Sequence, residues 1–581
     1  MENYLDEKNA LILVALLKKH NIRKIIASPG STNVCVVANI QNDSFFEVYS
    51  APDERSACYI ACGLAAESGE PVAISCTGAT SSRNYLPGLT EAYYRKLPVL
   101  AITSTQAKAK VGHHVAQVID RTVLPNDTYN FSTLLPIIKD DDDVWECEIK
   151  INQALLELKR NGGGPVHIDI PTSYTRSFTA RELPEVKEIK RIEAFDKFPE
   201  LPKGKIAVFV GSHAKWTERQ TKTLDSFCEA NDAVVLCDHT SNFKGQYRVL
   251  FPLAAGQQLF DHAANTVSLF IYIGEITGDY FTMKIGKKKV WRVNEDGEFR
   301  DLFRKLDCVF QMPEINFFEY YSKNGRNKKT RSYLNDCKEQ LDKLYGQIPE
   351  LPFSNIWVAS QLAHKIPENS TIHFGILNSL RSWNFFELPQ SVNSNSNVGG
   401  FGIDGNVSSL IGASLSNPNR LYFGIIGDLA FFYDMNAAGN RHVSKNLRIM
   451  VVNNGKGSEF RLGGVHPAFE KKDDTDKFIS AGGHYGNKSS ILLKNYAEGL
   501  GYDYIYATNK KEFNDVHEQF ISQKMSDKPL IFEVFTNSED ENDALNKLLN
   551  IDQNVKIKTK KLASKMLGNS GKKVLKKIMK G

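Results

Sequence analysis

The chain has 581 residues, 42% hydrophobic and 24% charged, with a net charge of +5. That length allows three or four ordinary domains. The lack of any apolar run near the roughly 20 residues of a membrane span excludes a helical membrane protein. The charge is unevenly placed: residues 556–580 hold ten lysines and no acid, which leaves −5 on the preceding residues. The main body therefore gives no basic-patch argument for nucleic acid. The N-terminus is acidic and then amphipathic, unlike a secretory signal. Nine scattered cysteines without a C-x-x-C pair suit a reducing cytoplasm, and Cys58 and Cys62, four apart in a predicted helix, read as packing residues.

In chain order, residues 9–20 suit an amphipathic helix and 23–28 a strand, with SPGSTN as a tight loop at its carboxyl end. A second strand, 45–50, leads into APDERSACYIACGLAAESG. There Asp53 and Glu54 fall at a helix start, a favourable place for carboxylates. Strand 72–76, the loop TGATSSRN, a helix through Glu91 and strand 99–103 follow, and GPVHIDIP closes the region. A charged, proline-containing connector over 182–203 precedes strands at 205–210, 233–237, 268–273 and 289–293. The turn VFVGSHAKW has one glycine where a dinucleotide site wants G-x-G-x-x-G, so this middle region reads as a structural spacer without FAD or NAD. A charged segment, 322–331, marks the next boundary.

In the last third, the apolar runs 421–426 and 447–452 have the character of buried parallel strands, and 430–441 between them has helix-compatible length. Asp428 then stands at the carboxyl end of one strand, and Asn453 and Asn454 at the end of the next, on the edge where open α/β sheets bind ligands. One carboxylate, one amide oxygen and a backbone carbonyl are hard ligands for Mg²⁺ or Ca²⁺. Mg²⁺ completes its shell with phosphate and water, which implies a phosphorylated cofactor.

The Gly-Asp pair followed by Asn-Asn resembles the diphosphate-binding signature of thiamine diphosphate (ThDP) enzymes, and the first third resembles their pyrimidine-binding domain. The resemblance implies an α/β fold of three doubly wound parallel-sheet domains. These are a pyrimidine-binding domain (1–180), a central Rossmann-like spacer without FAD (204–330) and a diphosphate- and Mg²⁺-binding domain (350–545), followed by a basic tail (555–581). Within the family, SPGSTN, DERSACYIACGLA, CTGATSSRNYLPGLTEA, AQVIDR and GPVHIDIP resemble segments of the menaquinone-pathway synthases, which join a decarboxylated 2-oxoglutarate unit to isochorismate. Glu54 matches the glutamate that activates the aminopyrimidine, while its residue-level reading alone is a helix-start acid. The same carry-over gives cofactor contacts to Thr77, Asn84, Gln117, Asn378, Ser379, Gly402, Ile403, Gly427, Asp428, Leu429 and Asn454. Mg²⁺ ligation falls to Asp428, Asn454 and the carbonyl of Lys456.

The sequence departs from those synthases where substrate would sit. Next to Ser31, Thr32 stands where they have arginine, and Val398 replaces a second. Neither can imitate the bidentate guanidinium fork that reads carboxylates. Arg83 is a candidate replacement cation or a solvent-facing helix-start residue, and Arg381 and Arg461 are further candidates. His113 and His114 resemble the paired histidines that relay protons in some 2-oxo acid decarboxylases, and are also ordinary loop residues. Glu459 is a candidate acid–base group or a solvent-facing side chain.

These departures lead us to expect a ThDP- and Mg²⁺-dependent 2-oxo acid decarboxylase/carboligase. It would form an enamine after CO₂ loss and pass it to an unidentified acceptor, the donor or the acceptor differing from those of the synthases. The menaquinone-pathway synthase and a non-catalytic ThDP-binding subunit are the alternatives. The resemblance also implies a cytoplasmic homodimer or homotetramer with shared sites. The tail pairs an apolar stripe (Val574, Leu575, Ile578, Met579) with lysines. It suits an anionic membrane surface, docking on the acidic body, or a solvated end.

Overall fold

The computed structural model describes residues 3–121, 123–258, 266–326, 330–461, 478–484 and 489–551. The tail over 555–581, with its predicted amphipathic stripe, lies outside the described residues, as does the side chain of Arg461. The chain forms two compact units, 1–193 with 297–309, and 194–296 with 310–581. They carry three parallel α/β sheets, the expected fold class. Among the described residues, no helix is long and apolar enough to cross a membrane.

In the first unit, β1 (Lys24–Ala27), β2 (Glu47–Ser50), β3 (Val72–Cys76), β4 (Val99–Thr105), β5 (Phe131–Leu134) and β6 (Val166–Pro171) lie in the order β2-β1-β3-β4-β6-β5. Strands β3, β4 and β6 are buried along their whole length, as parallel strands covered by helices on both faces must be. The helix Glu54–Ser68 starts where Asp53 Oδ1 accepts from Arg55 N–H at 2.9 Å and ends at Gly69 in the left-handed conformation. Its buried face is small: Ala57, Cys58, Ala61, Cys62 and Ala65. A Cβ at Gly88 would lie 2.7 Å from Cys58 Cβ and Sγ, so only glycine lets the next helix approach this closely. The cysteine pair is packing material, and all nine cysteines are buried.

In the second unit, β7 (Ile206–Val210), β8 (Ala233–Cys237), β9 (Arg248–Leu250), β10 (Thr266–Ile273) and β11 (Gly286–Asn294) run β9-β8-β7-β10-β11, the order of a dinucleotide-binding sheet. The crevice between β7 and β10, where such a fold takes its ligand, is stitched by backbone bonds. Gly211 N donates to Ile273 O (3.0 Å), Ser212 N to Ile276 O (3.2 Å) and Glu275 N to Ser212 O (2.7 Å).

The same unit holds β12 (Thr371–Phe374), β13 (Asn393–Ser396), β14 (Tyr422–Gly427), β15 (Leu447–Asn453), β16 (Asp503–Ala507) and β17 (Leu530–Phe535), ordered β13-β12-β14-β15-β17-β16. This repeats the strand order of the first sheet. Its point of reversal lies between β12 and β14, whose carboxyl ends carry Gly375 and Gly427-Asp428. The predicted 430–441 helix is shorter than expected: it spans Asp428–Tyr433 and gives way to a 3₁₀ turn, Met435–Gly439. Asp434 breaks it because its carboxylate accepts from Ser408 N (2.6 Å) and Oγ (2.7 Å).

Candidate active site

Strands β14 and β15 pair in parallel with Gly427 opposite Val452, so Asp428 and the Asn453-Asn454 pair leave the same sheet edge. The two asparagines then part. Asn453 turns inward and donates from Nδ2 to Glu533 Oε1 at 2.7 Å, a purely internal bond. Asn454 faces a cavity of about 170 Å³ lined also by Leu377, Asn378, Ser379, Ile403, Gly427, Asp428, Leu429, Lys456 and Glu459. The backbone turns back at Gly455 (φ +75°). Its N–H donates to Asp428 Oδ2 at 3.1 Å, and Lys456 N donates to Asn454 Oδ1 at 3.2 Å.

Asp428 is 4% exposed, and no described lysine or arginine forms an ion pair with it. Burial pushes its carboxyl up to about 7, against the pull of the Leu429, Gly455 and Asn454 backbone bonds. A buried carboxylate with no cation, an amide oxygen and a neighbouring backbone carbonyl form a donor set that fits a hard divalent ion. The opposite wall comes from β12: Leu377 holds φ +63°, a left-handed conformation rare for a branched residue, and so turns the chain into the helix Asn378–Trp383. Backbone strain of this kind persists where surrounding structure holds it, often at ligand clamps.

Beside the cavity, Arg381 is engaged with the lining residue Glu459. Its Nη1 and Nη2 donate to Glu459 Oε1 (3.0 Å) and Oε2 (2.7 Å). Glu459 is thus a paired carboxylate rather than a solvent-facing one. Behind it, Asn378 Nδ2 reaches Glu541 Oε2 at 3.4 Å. Glu541 Oε1 accepts from Asn355 N (2.9 Å) and Thr536 Oγ1 (2.8 Å). Burial raises the Glu541 carboxyl above its ordinary range. Sequence reasoning missed Glu541 because it follows Glu539 and Asp540 in an acidic helix start. The available signal was phase: Ser538, Glu541, Ala544, Leu545 and Leu548 form the buried stripe of that helix.

In the first unit, Glu54 begins its helix and accepts from Asn84 Nδ2 at 3.2 Å. Thr32 is 4% exposed; its hydroxyl bonds to Thr77 Oγ1 and to Ser104 O at 3.3 Å, while Ser31 is exposed. Arg83 lies at the surface and donates to Asp120 O at 3.0 Å. His113, His114 and Gln117 are exposed, the latter two at positive φ. None of the three lines the cavity of about 500 Å³ in this unit, which is lined by Gln106, Lys108, Arg121, His167 and Asp169, among others. Arg121 pairs with Asp169 at 2.6 Å, and burial still lifts that carboxyl to about 6. His167 sits between Thr103 Oγ1 (2.7 Å) and Ser132 Oγ (2.8 Å), and burial holds its pKa down to about 3. In the second unit Val398 is 3% exposed and packs beside Leu380 and Gly278, and Gly402 precedes Ile403 at the cavity rim.

Residues 8–124 match the family model described as "Thiamine pyrophosphate enzyme, N-terminal TPP binding domain". Fold, site and match define the class: a thiamine diphosphate-dependent enzyme. The 2-succinyl-5-enolpyruvyl-6-hydroxy-3-cyclohexene-1-carboxylate synthase of Bacteroides fragilis is 31% identical over 559 residues, covering 92% of this chain and 97% of its own. The synthase of the same name from Phocaeicola vulgatus is 31% identical over 558 residues with the same coverage. That of Flavobacterium johnsoniae is 26% identical, covering 90% of this chain and 95% of its own. Among solved structures, the Rhodococcus jostii RHA1 thiamine diphosphate-dependent 4-hydroxybenzoylformate decarboxylase aligns over 91% of this chain and 99% of its own, with 17% identity and a TM-score of 0.40. The chain belongs to the 2-succinyl-5-enolpyruvyl-6-hydroxy-3-cyclohexene-1-carboxylate synthase family.

This corrects the expectation of a decarboxylase/carboligase with a different donor or acceptor, which rested on Thr32 and Val398. Relatives matched along nearly their whole length carry the synthase name. The two positions are also interior packing sites in this chain, so their lack of arginine says little about the substrate.

Proposed function

We propose that the protein is a ThDP- and Mg²⁺-dependent 2-succinyl-5-enolpyruvyl-6-hydroxy-3-cyclohexene-1-carboxylate synthase, joining a decarboxylated 2-oxoglutarate unit to isochorismate. The near-full-length correspondence with relatives of that name carries the reading. The chemistry of the Asp428 cavity supports it. In this proposal Asp428, Asn454 and the Lys456 carbonyl hold the metal. Gly427, Leu429, Asn378 and Ser379 surround the diphosphate, while Gly402 and Ile403 border the aminopyrimidine with Thr77, Asn84 and Gln117. The cofactor, when bound, supplies the nucleophilic carbon and the electron sink for loss of CO₂.

The protein's own residues then have assigned tasks. Glu54 would offer its carboxyl to the cofactor's aminopyrimidine, with Asn84 Nδ2 donating to that carboxyl at 3.2 Å. Glu541 fixes the Asn378 amide, which keeps that wall of the cavity in place. Arg381 is the cation available to a substrate carboxylate, and Glu459 balances its charge when none is bound. His113, His114, Arg83 and Ser31 take second place as substrate-side residues, while Thr32 and Val398 act through packing. The working unit is a cytoplasmic homodimer or homotetramer in which Glu54 of one copy serves the cofactor held by Asp428 of another. The domain roles follow the boundaries 1–180, 204–330 and 350–545.

The test is incubation of purified protein with ThDP, Mg²⁺, 2-oxoglutarate and isochorismate, with product read by mass spectrometry. A ligated product of the named composition is expected. ThDP-loaded protein that consumes neither substrate overturns the reading.

A further inference from the structure

A third cavity, of about 450 Å³, lies in the second unit away from the Asp428 site. It is lined by His213, Lys215, Trp216, Lys244, Asn395 and Arg420, among others. Its walls are fixed. The Trp216 ring stacks on His213 (centroids 3.9 Å apart, 15° between planes) and donates from Nε1 to Ser241 O at 2.8 Å. Asn242 Oδ1 accepts from Ser394 N at 2.7 Å, tying the loop after β8 to β13.

Three cations surround this space: Lys215 is exposed, and Lys244 and Arg420 are half-buried. None has a side-chain hydrogen bond or ion pair among the described residues. The one lining carboxylate, Glu218, pairs with Lys222 instead. His213 pairs with Glu314 at 3.0 Å, which raises its pKa against burial, so any charge it gains is matched by that carboxylate. The adjacent helix Glu218–Asn231 is already capped by Thr217 and Gln220, so side chains supply most of the field.

Burial, aided by nearby Arg248 and opposed by Glu387 and Cys237, lowers the Lys244 pKa to about 8. A single solvated lysine on a surface means little. Three unpaired cations around one polar cavity, one of them desolvated, make an environment that an anion stabilises. The volume lies within the usual range for small-molecule sites, and the Trp216 face gives a flat apolar wall.

We infer that this cavity is a second ligand site, distinct from the cofactor site, that takes a small polyanion bearing phosphate or several carboxylates. Lys244 and Arg420 contact its charge, and Asn393, Asn395 and Thr371 supply neutral polar contacts.

The test is calorimetric titration of the ThDP- and Mg²⁺-saturated protein with pyrophosphate and, separately, with citrate. Free Mg²⁺ is held constant, and sodium chloride at matched ionic strength serves as control. One saturable site per chain is expected for at least one probe, and the two arms separate phosphate from carboxylate recognition. Lys244→Gln and Arg420→Gln are each expected to weaken it about tenfold while ThDP affinity stays unchanged. At pH 8, binding to wild type takes up protons, read as a buffer-dependent heat, because the anion raises the Lys244 pKa. Lys244→Gln loses that uptake. Should Lys244→Gln fail to fold, Arg420→Gln decides. Heats no larger than those of chloride, or unchanged affinity in the folded variants, overturn the inference.

Discussion

Replacing Asp428 by asparagine separates charge from shape at the centre of the proposed site. The amide keeps an oxygen for the Gly455 N–H, now donated at 3.1 Å, so the turn after β15 survives. What goes is the carboxylate charge, 4% exposed and without a described cationic partner. Removing one partner of a buried charge pair costs about 3–5 kcal/mol, which corresponds to roughly a hundred- to several-thousand-fold in dissociation constant. The assay is calorimetry with ThDP at fixed Mg²⁺, with circular dichroism and melting midpoint as fold controls. Because a lone buried charge is costly, the ligand-free variant should melt no lower than wild type. A variant that binds ThDP within tenfold of wild type refutes the assignment of Asp428 as metal ligand.

The Arg381–Glu459 fork predicts an asymmetry. Glu459→Gln strands a guanidinium 13% exposed, whereas Arg381→Met leaves a carboxylate 31% exposed that water solvates more readily. Steady-state kinetics should give Arg381→Met a KM for 2-oxoglutarate raised about tenfold or more with loss of a charge-assisted contact; an unchanged KM removes Arg381 from substrate recognition. Thr32→Arg should lower the melting midpoint without improving turnover. The site is packed against Thr77 and Ser104, and overfilling such a site costs about 1–3 kcal/mol before the charge is counted. Improved turnover at wild-type stability would contradict the packing argument. The His167 ring, held near a pKa of about 3 when folded, binds a proton in the unfolded chain from about 6.5 downward. Its contribution is present above pH 6.5 and is lost as pH falls towards 3. The stability gap between wild type and His167→Gln should therefore narrow between pH 7 and pH 4, and a constant gap in melting midpoint would refute it.

The elements that were legible in the sequence were those with local signatures. Buried apolar runs of strand length located β14 and β15, and parallel pairing then brought Asp428 and Asn454 to one edge. Capping chemistry at Asp53 located the Glu54 helix. Features that depend on distant partners were not legible. Asn453 and Asn454 are alike in sequence, and only Glu533, 80 residues on, separates the internal one from the cavity-facing one. Asp434 ends its helix because Ser408 recruits it. Arg381 and Glu459 are 78 residues apart, so neither letter shows that the other neutralises it. Thr32 and Val398 belong to the same group: nothing in the sequence shows that both are buried.

The most direct test follows the carbon of 2-oxoglutarate. Protein loaded with ThDP and Mg²⁺ is given 2-oxoglutarate labelled at its carboxyl carbon C1 and at C2, with isochorismate, and products are followed by ¹³C NMR. The account predicts labelled CO₂ released in step with isochorismate consumption and the C2 label bonded to the isochorismate-derived ring. Labelled CO₂ accompanied only by free succinic semialdehyde, with isochorismate untouched, would contradict the synthase assignment.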